Sequence, residues 1–300
     1  MDLEFLEKQV KKTLTNMDAN RLTISEKLLF RSKPSSKSKK ELKDTIMKAL
    51  PLKLMMYHDK YVDKSGLNKL KSIQEYQGFK YEKINEFMRT GKISFSLNVS
   101  DRLYLKKSNI TSDSNLMKYT NKTKQDIDKS FIMNIEKNKR SMDELTNTIT
   151  NIKSTIMNAP RFKRNVYVYR GEKNYDTIFA LNEKDSSLRN NQKHKLRQIN
   201  MKEGSTYNSK GFNSFSMAPW IASRFSGKNP CCIYRLRIDP QTPVLVLPWK
   251  TSGVFEGEFE VLLPPAKFKV TKVRSINSDE NPQISIKVYD IEFVKVLVST

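Results

Sequence analysis

Apolar residues recur at helical spacing through the first half of the chain. Residues 41–92 and 131–158 show this spacing, and Pro160 ends the second stretch. Residues 1–50 read as a charged helical region that a basic Ser- and Pro-containing run, 31–40, interrupts. Such a run cannot pack a core, so we predict a flexible linker or surface arm there. The positions that carry the helical spacing are Tyr76, Phe79, Ile84, Phe87, Ile132, Ile135, Leu145, Ile149, Ile152 and Ile156.

From residue 165 onward the period changes to that of strands, with one short helical pattern at Trp220–Phe225. Helices that precede strands indicate an α+β arrangement rather than alternating βαβ units. We expect the last strand to be broken near Asp290. The predicted strands are Val166–Tyr169, Gly211–Ser216, Cys232–Ile238, Val244–Leu247, Glu258–Leu263, Phe268–Val273 and Ile284–Val298.

The charge of the chain is large and unevenly distributed. The formal net charge is +23 over 300 residues, and residues 151–200 hold 11 Lys/Arg against 4 Asp/Glu. Residues 251–300 hold 6 Lys/Arg against 7 Asp/Glu, which makes this the only 50-residue segment that is not basic. A positive body around a locally acidic segment would concentrate an anionic dinucleotide or a polyanion.

Several classes of protein are disfavoured by what the sequence lacks. The adjacent Cys231 and Cys232 and the distant His58 and His194 offer no zinc-ligand spacing, so we expect neither a metal site nor a structural disulfide. The nine glycines form neither a dinucleotide fingerprint nor a phosphate loop. No apolar run is long enough to span a membrane, and the acidic N-terminus lacks a secretory-signal profile, so we expect a cytoplasmic protein.

Two carboxylates stand one residue apart in the segment that is not basic, in Glu258-Phe259-Glu260. If this segment is a strand, the two side chains project from one face, roughly 7 Å apart by ideal strand rise. Phe255 precedes Glu258 by three positions, beside glycines that allow a turn. A solvated strand end with chance acids is the alternative when this motif is taken alone.

Two further motifs precede the carboxylates. Arg170 closes the strand Val166–Tyr169, where its planar fork could bind a pyrophosphate. Ser214 and Ser216 share one face of the next strand, where small hydroxyls let a ligand approach closely and can hydrogen-bond ribose or a carboxylate. The ordinary alternatives are that Arg170 is a charged residue at the edge of a strand and that the two serines occupy strand positions without a functional role.

These three motifs, in this order, resemble the arginine-specific class of mono-ADP-ribosyltransferases, whose signature is Arg, then Ser-x-Ser, then Glu-x-Glu. Phe212 supplies the aromatic residue that precedes the serine motif, but Phe215 replaces the usual Thr between the serines. Residues 73–91 resemble the N-terminal helices of such toxin domains. The resemblance covers roughly residues 60–300.

The resemblance implies an ADP-ribosyltransferase-like α+β fold with N-terminal helices followed by a two-sheet, mainly antiparallel core. It implies NAD as substrate and no metal. It divides the chain into a basic N-terminal region, 1–50, and a catalytic domain, 51–300.

The resemblance also implies site roles. Glu260 would promote loss of nicotinamide, and Glu258 would orient an acceptor arginine. Arg170 would bind the pyrophosphate, and Ser214 would position Glu260. Phe212 and Ser216 would contact NAD. Phe255 would pack on the target protein.

Two other functions stay open on the sequence. The chain could be a degenerate transferase domain that acts as a binding module, or a basic nucleic-acid-associated protein with accidental motifs. Both carboxylates are present, which argues against degeneration. We expect a target protein with an acceptor arginine as partner, as for a bacterial toxin or a viral or phage effector, and non-specific nucleic-acid contact through the basic segments.

Overall fold

The computed structural model describes residues 3–30, 38–77, 81–90, 142–172, 201–225, 232–247, 258–277 and 285–297. Its helices are α1 (Leu3–Thr15), α2 (Ala19–Phe30), α3 (Lys39–Ala49), α4 (Leu52–Lys64), α5 (Leu67–Glu75), α6 (Tyr81–Thr90), α7 (residues 142–158) and α8 (Pro219–Phe225). Most of the predicted linker, residues 31–37, lies outside the described residues.

The N-terminal helices form because apolar residues repeat every three to four positions. In α1, Leu6, Val10 and Leu14 are buried on one face. At the start of α3, Ser38 and Glu41 form a reciprocal capping box that satisfies backbone N–H groups. Buried residues of all three helices, such as Leu6, Leu22 and Ile46, belong to the same hydrophobic cluster as strand residues further along the chain. The boundary at residue 50 stays a prediction.

The described strands form one mixed sheet of eight strands in the order β2-β7-β8-β4-β1-β3-β6-β5. The β4–β8 pair is parallel, and the other neighbouring pairs are antiparallel. The expected two-sheet core is therefore wrong, whereas helices followed by mainly antiparallel pairing is confirmed. The strands are β1 (Val166–Glu172), β2 (Thr206–Ser209), β3 (Asn213–Ser216), β4 (Cys232–Ile238), β5 (Leu245–Val246), β6 (Glu260–Leu263), β7 (Ala266–Asn277) and β8 (Ser285–Val296).

Two neighbouring strands of the sheet, β1 and β3, are joined by very little pairing. A single residue pair, Tyr169 with Ser216, joins β1 to β3, whereas β1 pairs with β4 over seven residues. This joint separates a broad half, made of β2, β7, β8, β4 and β1, from a small half, made of β3, β6 and β5. The pair between β1 of the broad half and β3 of the small half unites the two halves into one sheet.

The last strand, β8, continues through Asp290 instead of breaking there. Asp290 pairs in register with Arg235 of β4 and Lys272 of β7. Its side chain is buried against Arg235 and Arg274, so its polarity marks an internal ion cluster rather than a turn. The short strand β2, which pairs with β7, was not predicted.

A second hydrophobic cluster packs α4 to α7 against the small half of the sheet. Val62, Ile73, Ile84 and Ile152 from these helices contribute fully buried side chains. Phe212, Leu245, Leu247 and Leu262 are its members from the strand side. This packing brings the end of α5 and the start of α6 next to β3 and β6.

Candidate active site

Glu260 is the first residue of β6, and both of its carboxylate oxygens accept hydrogen bonds. Ser214 Oγ donates to Oε1 at 2.6 Å, and Gln77 Nε2 donates to Oε2 at 3.1 Å. Antiparallel pairing of β3 with β6 sets Ser216 opposite Glu260, so Ser214 is a diagonal neighbour on the same face. The carboxylate is therefore fixed from the sheet and from a helix.

The surroundings of Glu260 act on its charge in opposite directions. Burial raises the pKa of the Glu260 carboxyl above its usual range. The hydrogen bonds from Ser214 and Gln77 and the positive charge of Arg170 lower it. The donors thus counteract the cost of holding an ionised carboxylate in this partly buried position.

Glu258 lies just before β6, and its carboxylate contacts a guanidinium. Arg224 Nη2, at the end of α8, is 3.3 Å from Glu258 Oε1, and the Glu258 side chain is 17% exposed. Burial and the neighbouring Glu260 raise the pKa of Glu258 to about 7, which the charge of Arg224 opposes. Glu258 therefore changes its charge near neutral pH.

Phe259, between the two glutamates, has a left-handed backbone conformation with φ of 52°. This conformation costs a non-glycine residue roughly 1–2 kcal/mol and is uncommon. The side chain is buried edge-on against Trp220, with ring centroids 5.9 Å apart, and Met217 N–H donates to Phe259 O at 2.9 Å. Glu258 therefore precedes the strand, and strict strand alternation does not describe the carboxylate pair.

Ser216 has a hydroxyl that supports the backbone of this turn. Ser216 Oγ donates to Glu258 O at 2.6 Å and accepts from Ala218 N–H at 3.0 Å. The side chain is buried at 5% exposure. The Ser216 hydroxyl thus contacts the backbone of Glu258. The expected contact of Ser216 with NAD stays a prediction.

Arg170 lies within β1, which continues for two residues beyond it. Its Nη1 donates to Ser214 O at 3.2 Å, so Arg170 is held beside the serine that holds Glu260. Burial lowers the pKa of Arg89 on α6; Tyr76 opposes this effect, and the charge of Arg170 adds to it. The positive charge of Arg170 is therefore felt at Arg89.

Phe212 connects the strand motif to the helices. Its ring packs edge-on against Tyr76 at 5.6 Å, and its N–H donates to Asn85 Oδ1 at 2.8 Å. Asn85 Nδ2 also donates to Tyr76 OH at 3.2 Å. A Cβ at Gly211 would lie 2.9 Å from Asn85 Oδ1, so glycine permits this close approach.

The structure brings six of the seven predicted site residues together, and the seventh, Phe255, lies outside the described residues. The six are Arg170, Phe212, Ser214, Ser216, Glu258 and Glu260. The residues that sequence reasoning did not assign to the site are Gln77, Asn85, Arg89 and Arg224. The first three belong to a segment that was singled out for its resemblance, but without roles.

The described ranges contain neither a metal-binding cluster nor a membrane-spanning helix. There, no group of three or more His, Cys, Asp or Glu side chains could hold a metal ion. None of the described helices is both long and apolar enough to cross a membrane.

Comparison with protein families defines the class of this protein. Residues 102–292, more than half of the chain, match the family model described as ADP-ribosyltransferase exoenzyme. The chain belongs to this family and is homologous to NAD-dependent ADP-ribosyltransferases. A search of curated proteins found no match.

Similar solved structures include ADP-ribosylating toxins. The enzymatic component C2-I of the C2 toxin from Clostridium botulinum is 18% identical, with a TM-score of 0.49, over 82% of this chain and 48% of C2-I. BECa of a binary enterotoxin of C. perfringens, solved with NADH, is 16% identical, with a TM-score of 0.47, over 80% of this chain and 46% of BECa. The Vis toxin, an ADP-ribosyltransferase from Vibrio splendidus, is 15% identical, with a TM-score of 0.46, over 89% of this chain and 91% of Vis. The chain spans about half the length of the first two.

Proposed function

We propose that this protein is a mono-ADP-ribosyltransferase that cleaves NAD and transfers ADP-ribose to an arginine of a target protein, with release of nicotinamide. The observation that carries the proposal is the difference between its two neighbouring glutamates. Glu260 is fixed by Ser214 and Gln77, whereas Glu258 contacts the guanidinium of Arg224. One carboxylate is suited to a fixed role in catalysis and the other to guanidinium recognition.

Glu260 would act on the charge that develops on the ribose. Nicotinamide in NAD is already a cationic leaving group, so its departure needs no proton donor. A preoriented carboxylate lowers the barrier by stabilising positive charge on the sugar as the bond breaks. Ser214 would keep this carboxylate in place through the hydrogen bond to Oε1.

Arg170 would bind the pyrophosphate of NAD, and Arg89 lies on the same side of the site. The charge of Arg170 lowers the pKa of Arg89, which means that the two cations repel each other. An anionic group between them would relieve that repulsion and accept charge-assisted hydrogen bonds. Phe212 and Ser216 would shape the NAD site from β3.

Glu258 would hold the acceptor arginine. The contact with Arg224, at 3.3 Å, is an internal example of the guanidinium–carboxylate pairing that the acceptor would make. Arg224 is exposed, with 56% of its side chain accessible, so an incoming arginine could displace it. Phe255 would pack on the target protein beside this carboxylate.

Small-molecule acceptors test the arginine assignment directly. The protein is incubated with NAD and agmatine, and nicotinamide release and the agmatine adduct are quantified by mass spectrometry. Putrescine, which keeps the primary amine of agmatine but lacks the guanidine, is the matched control. We expect an adduct with agmatine and none with putrescine. Release of nicotinamide without any agmatine adduct would refute the arginine acceptor and leave NAD cleavage standing.

A protein substrate is then sought in a cell lysate with NAD labelled on its adenine. Labelled proteins are digested, and the modified residue is located by mass spectrometry. We expect ADP-ribose on arginine. Modification confined to another residue type would contradict the role proposed for Glu258.

The net charge of +23 favours additional contact with polyanions. Part of the basic segment 161–164 already has a structural use, because Arg161 donates to backbone carbonyls at the end of α7, at 2.9 Å from Ala159 O and 2.7 Å from Met157 O. Titration of labelled duplex DNA at several salt concentrations tests this contact. We expect binding that weakens steeply with salt.

A further inference from the structure

We propose that Gln77 is a positioning residue for the proposed NAD cleavage: its side-chain amide, delivered by the end of α5, orients the Glu260 carboxylate and keeps it ionised. Gln77 Nε2 donates to Glu260 Oε2 at 3.1 Å, while Ser214 takes Oε1. The inference rests on the proposed function for its catalytic meaning. It adds a residue from a helix that the three sequence motifs do not include.

The local backbone and the neighbouring contacts fix the position of the Gln77 side-chain amide. The last turn of α5 widens into a π-turn at Tyr76 and Gln77, a local irregularity that is frequent at functional sites. Tyr76 is anchored on both sides, by the edge-on contact with Phe212 and by the hydrogen bond from Asn85. Gln77 itself is 8% exposed, so its side chain has little freedom to leave the carboxylate.

The chemistry of the donor matters as much as its position. A neutral amide stabilises an ionised carboxylate without cancelling its charge, whereas a cation in the same place would form an ion pair. The amide therefore favours the ionised form of Glu260 against the effect of burial, and leaves its negative charge available to a bound ribose. Removal of the amide leaves one carboxylate oxygen in a partly buried site without this donor, which favours the protonated form.

Within the described part of the chain, the other charged or titratable groups near Glu260 come from β1, from the end of α5, from α6 and from the residues just before β6. Arg170 of β1 lowers the pKa of Glu260, and Glu258 precedes it on the same segment. Tyr76 at the end of α5 also interacts with Glu260, and burial raises the pKa of this tyrosine. Arg89 of α6 interacts with Tyr76 and Arg170. All four remain in place when Gln77 is replaced, so a change in the titration of Glu260 reports on the amide.

Gln77 also lies upstream of residues 102–292, the part of the chain that matches the family model. The end of α5 therefore contributes directly to the site through Gln77, in addition to packing against it.

Gln77→Met tests the inference because it keeps the length of the side chain and removes the donor. We expect kcat for NAD hydrolysis to fall about tenfold on the acid limb of the pH profile, with KM for NAD changed less than twofold. The acid limb of the pH profile should move up by about one pH unit, so that the loss shrinks as the pH rises. A tenfold loss that is the same at every pH would overturn the inference, and so would an unchanged kcat.

Ser72→Ala is the matched control. It removes a similarly buried hydrogen-bonding side chain from α5, where Ser72 Oγ accepts from Asn151 and donates to Asn68 O, away from the carboxylates. We expect Ser72→Ala to leave the acid limb in place. A shift of equal size in this control would show that loosening of α5, rather than the amide, changes Glu260.

A direct titration separates this inference from the proposed function. In protein labelled with ¹³C at Glu carboxyls, the Glu260 resonance is identified by its loss in Glu260→Gln, and its midpoint is compared between the parent and Gln77→Met. We expect a midpoint about one pH unit higher in Gln77→Met. An unmoved midpoint refutes the inference even if the parent cleaves NAD, whereas a shifted midpoint in a protein that releases no nicotinamide refutes only the proposed activity.

Gln77→Asn serves if Gln77→Met fails to fold. It retains a buried amide but withdraws it by one methylene, so the same upward shift of the Glu260 midpoint is expected. A midpoint equal to that of the parent overturns the inference.

Discussion

Two carboxylates, one buried in the broad half of the sheet and one partly buried in the small half, are stabilised in different ways. In the broad half, Asp290 has Arg235 Nη1 at 3.3 Å from one oxygen and Arg274 Nε at 3.6 Å from the other. In the small half, Glu260 accepts hydrogen bonds from the neutral side chains of Ser214 and Gln77. The first carboxylate is paired with cations, and the second is held by dipoles.

The difference indicates what each charge is for. The charge of Asp290 is fully compensated within the protein, and the guanidinium of Arg235 also lies 3.5 Å from the ring centroid of Tyr167. Such a cluster holds strands β4, β7 and β8 together and offers nothing to a ligand. A carboxylate that must act on a substrate needs the opposite arrangement, in which the protein fixes its position but leaves its charge available.

Glu260→Gln should produce the largest effect and test the functional side of the comparison. We expect nicotinamide release to fall about a thousandfold, because the charge that would face the ribose is gone. The Tm should stay equal or rise, since burial raises the pKa of Glu260 and a neutral group is therefore easier to accommodate. Thermal denaturation and an NAD hydrolysis assay measure the two quantities. A large decrease in Tm would show instead that Glu260 stabilises the fold, as Asp290 is expected to do.

Asp290→Asn tests the structural side. The substitution leaves Arg235 and Arg274 buried without their carboxylate, and we expect the free energy of unfolding to fall by about 3–5 kcal/mol. Chemical denaturation measures this loss. Glu292→Gln, two residues along the same strand, is the control, because its pair with Arg237 is exposed at 3.7 Å and should contribute less than about 1 kcal/mol. Equal effects of the two substitutions would contradict the distinction.

Glu258→Gln should divide the two proposed activities. We expect transfer to agmatine to fall about a hundredfold, since a neutral amide holds a guanidinium less well than a carboxylate does. Hydrolysis of NAD should be largely retained, because Glu260 keeps its charge and both donors. Parallel assays of the adduct and of nicotinamide measure the ratio. Equal loss of both activities would remove the division of labour between the two glutamates.

Arg170→Ala should weaken NAD binding by about tenfold to a hundredfold, the range for a charge-assisted contact of roughly 1.5–3 kcal/mol. Arg170→Lys should recover only part of the affinity, since a lysine lacks the planar fork. Calorimetry with NAD measures both. This pair sharpens the comparison, because Arg170 would then be a cation kept for a ligand, in contrast to Arg235. An unchanged affinity would assign the pyrophosphate to another residue.

The smallest predicted effect is a dependence of transfer on pH. Because the pKa of Glu258 is raised to about 7, its carboxylate is ionised above that pH and becomes neutral below it. The ratio of agmatine transfer to NAD hydrolysis should therefore fall about tenfold between pH 8 and pH 6. In Glu258→Gln the same ratio should not vary over this range, and a parallel decline there would exclude Glu258 as the titrating group.

The members of the site that the sequence predicted are those that a local motif can reveal. Arg170, Ser214 and Glu260 occur in the expected order along the chain, on strands β1, β3 and β6 that are neighbours in the sheet, and the structure places them side by side. Gln77 and Arg224 could not be found in this way, because their contacts depend on tertiary packing. Gln77 reaches Glu260 through the packing of α5 on the small half, and Arg224 reaches Glu258 from α8, which packs on β1 and α2. The left-handed turn at Phe259 was also missed, since strand alternation assumes regular backbone on both sides of a residue.

The fold was predictable in its order of helices and strands and less so in how the strands pair. Periodicity locates a strand but does not specify its partner, so the single residue pair that unites the two halves, Tyr169 with Ser216, has no sequence signal. Asp290 was interpreted as a break because an acidic residue is unfavourable in a buried strand unless cations accompany it. Those cations, Arg235 and Arg274, are brought by other strands.

The hydrogen bond between Gln77 and Glu260 joins residues 183 positions apart, and this separation bears on how the protein folds. Contacts between such distant parts of a chain require the closure of a long loop, whose entropic cost delays them during folding. Until α5 docks on the small half, the carboxylate lacks its second donor and the desolvated setting around it. An incompletely folded chain therefore does not contain the assembled site, and the proposed cleavage of NAD would begin only once the native tertiary structure has formed.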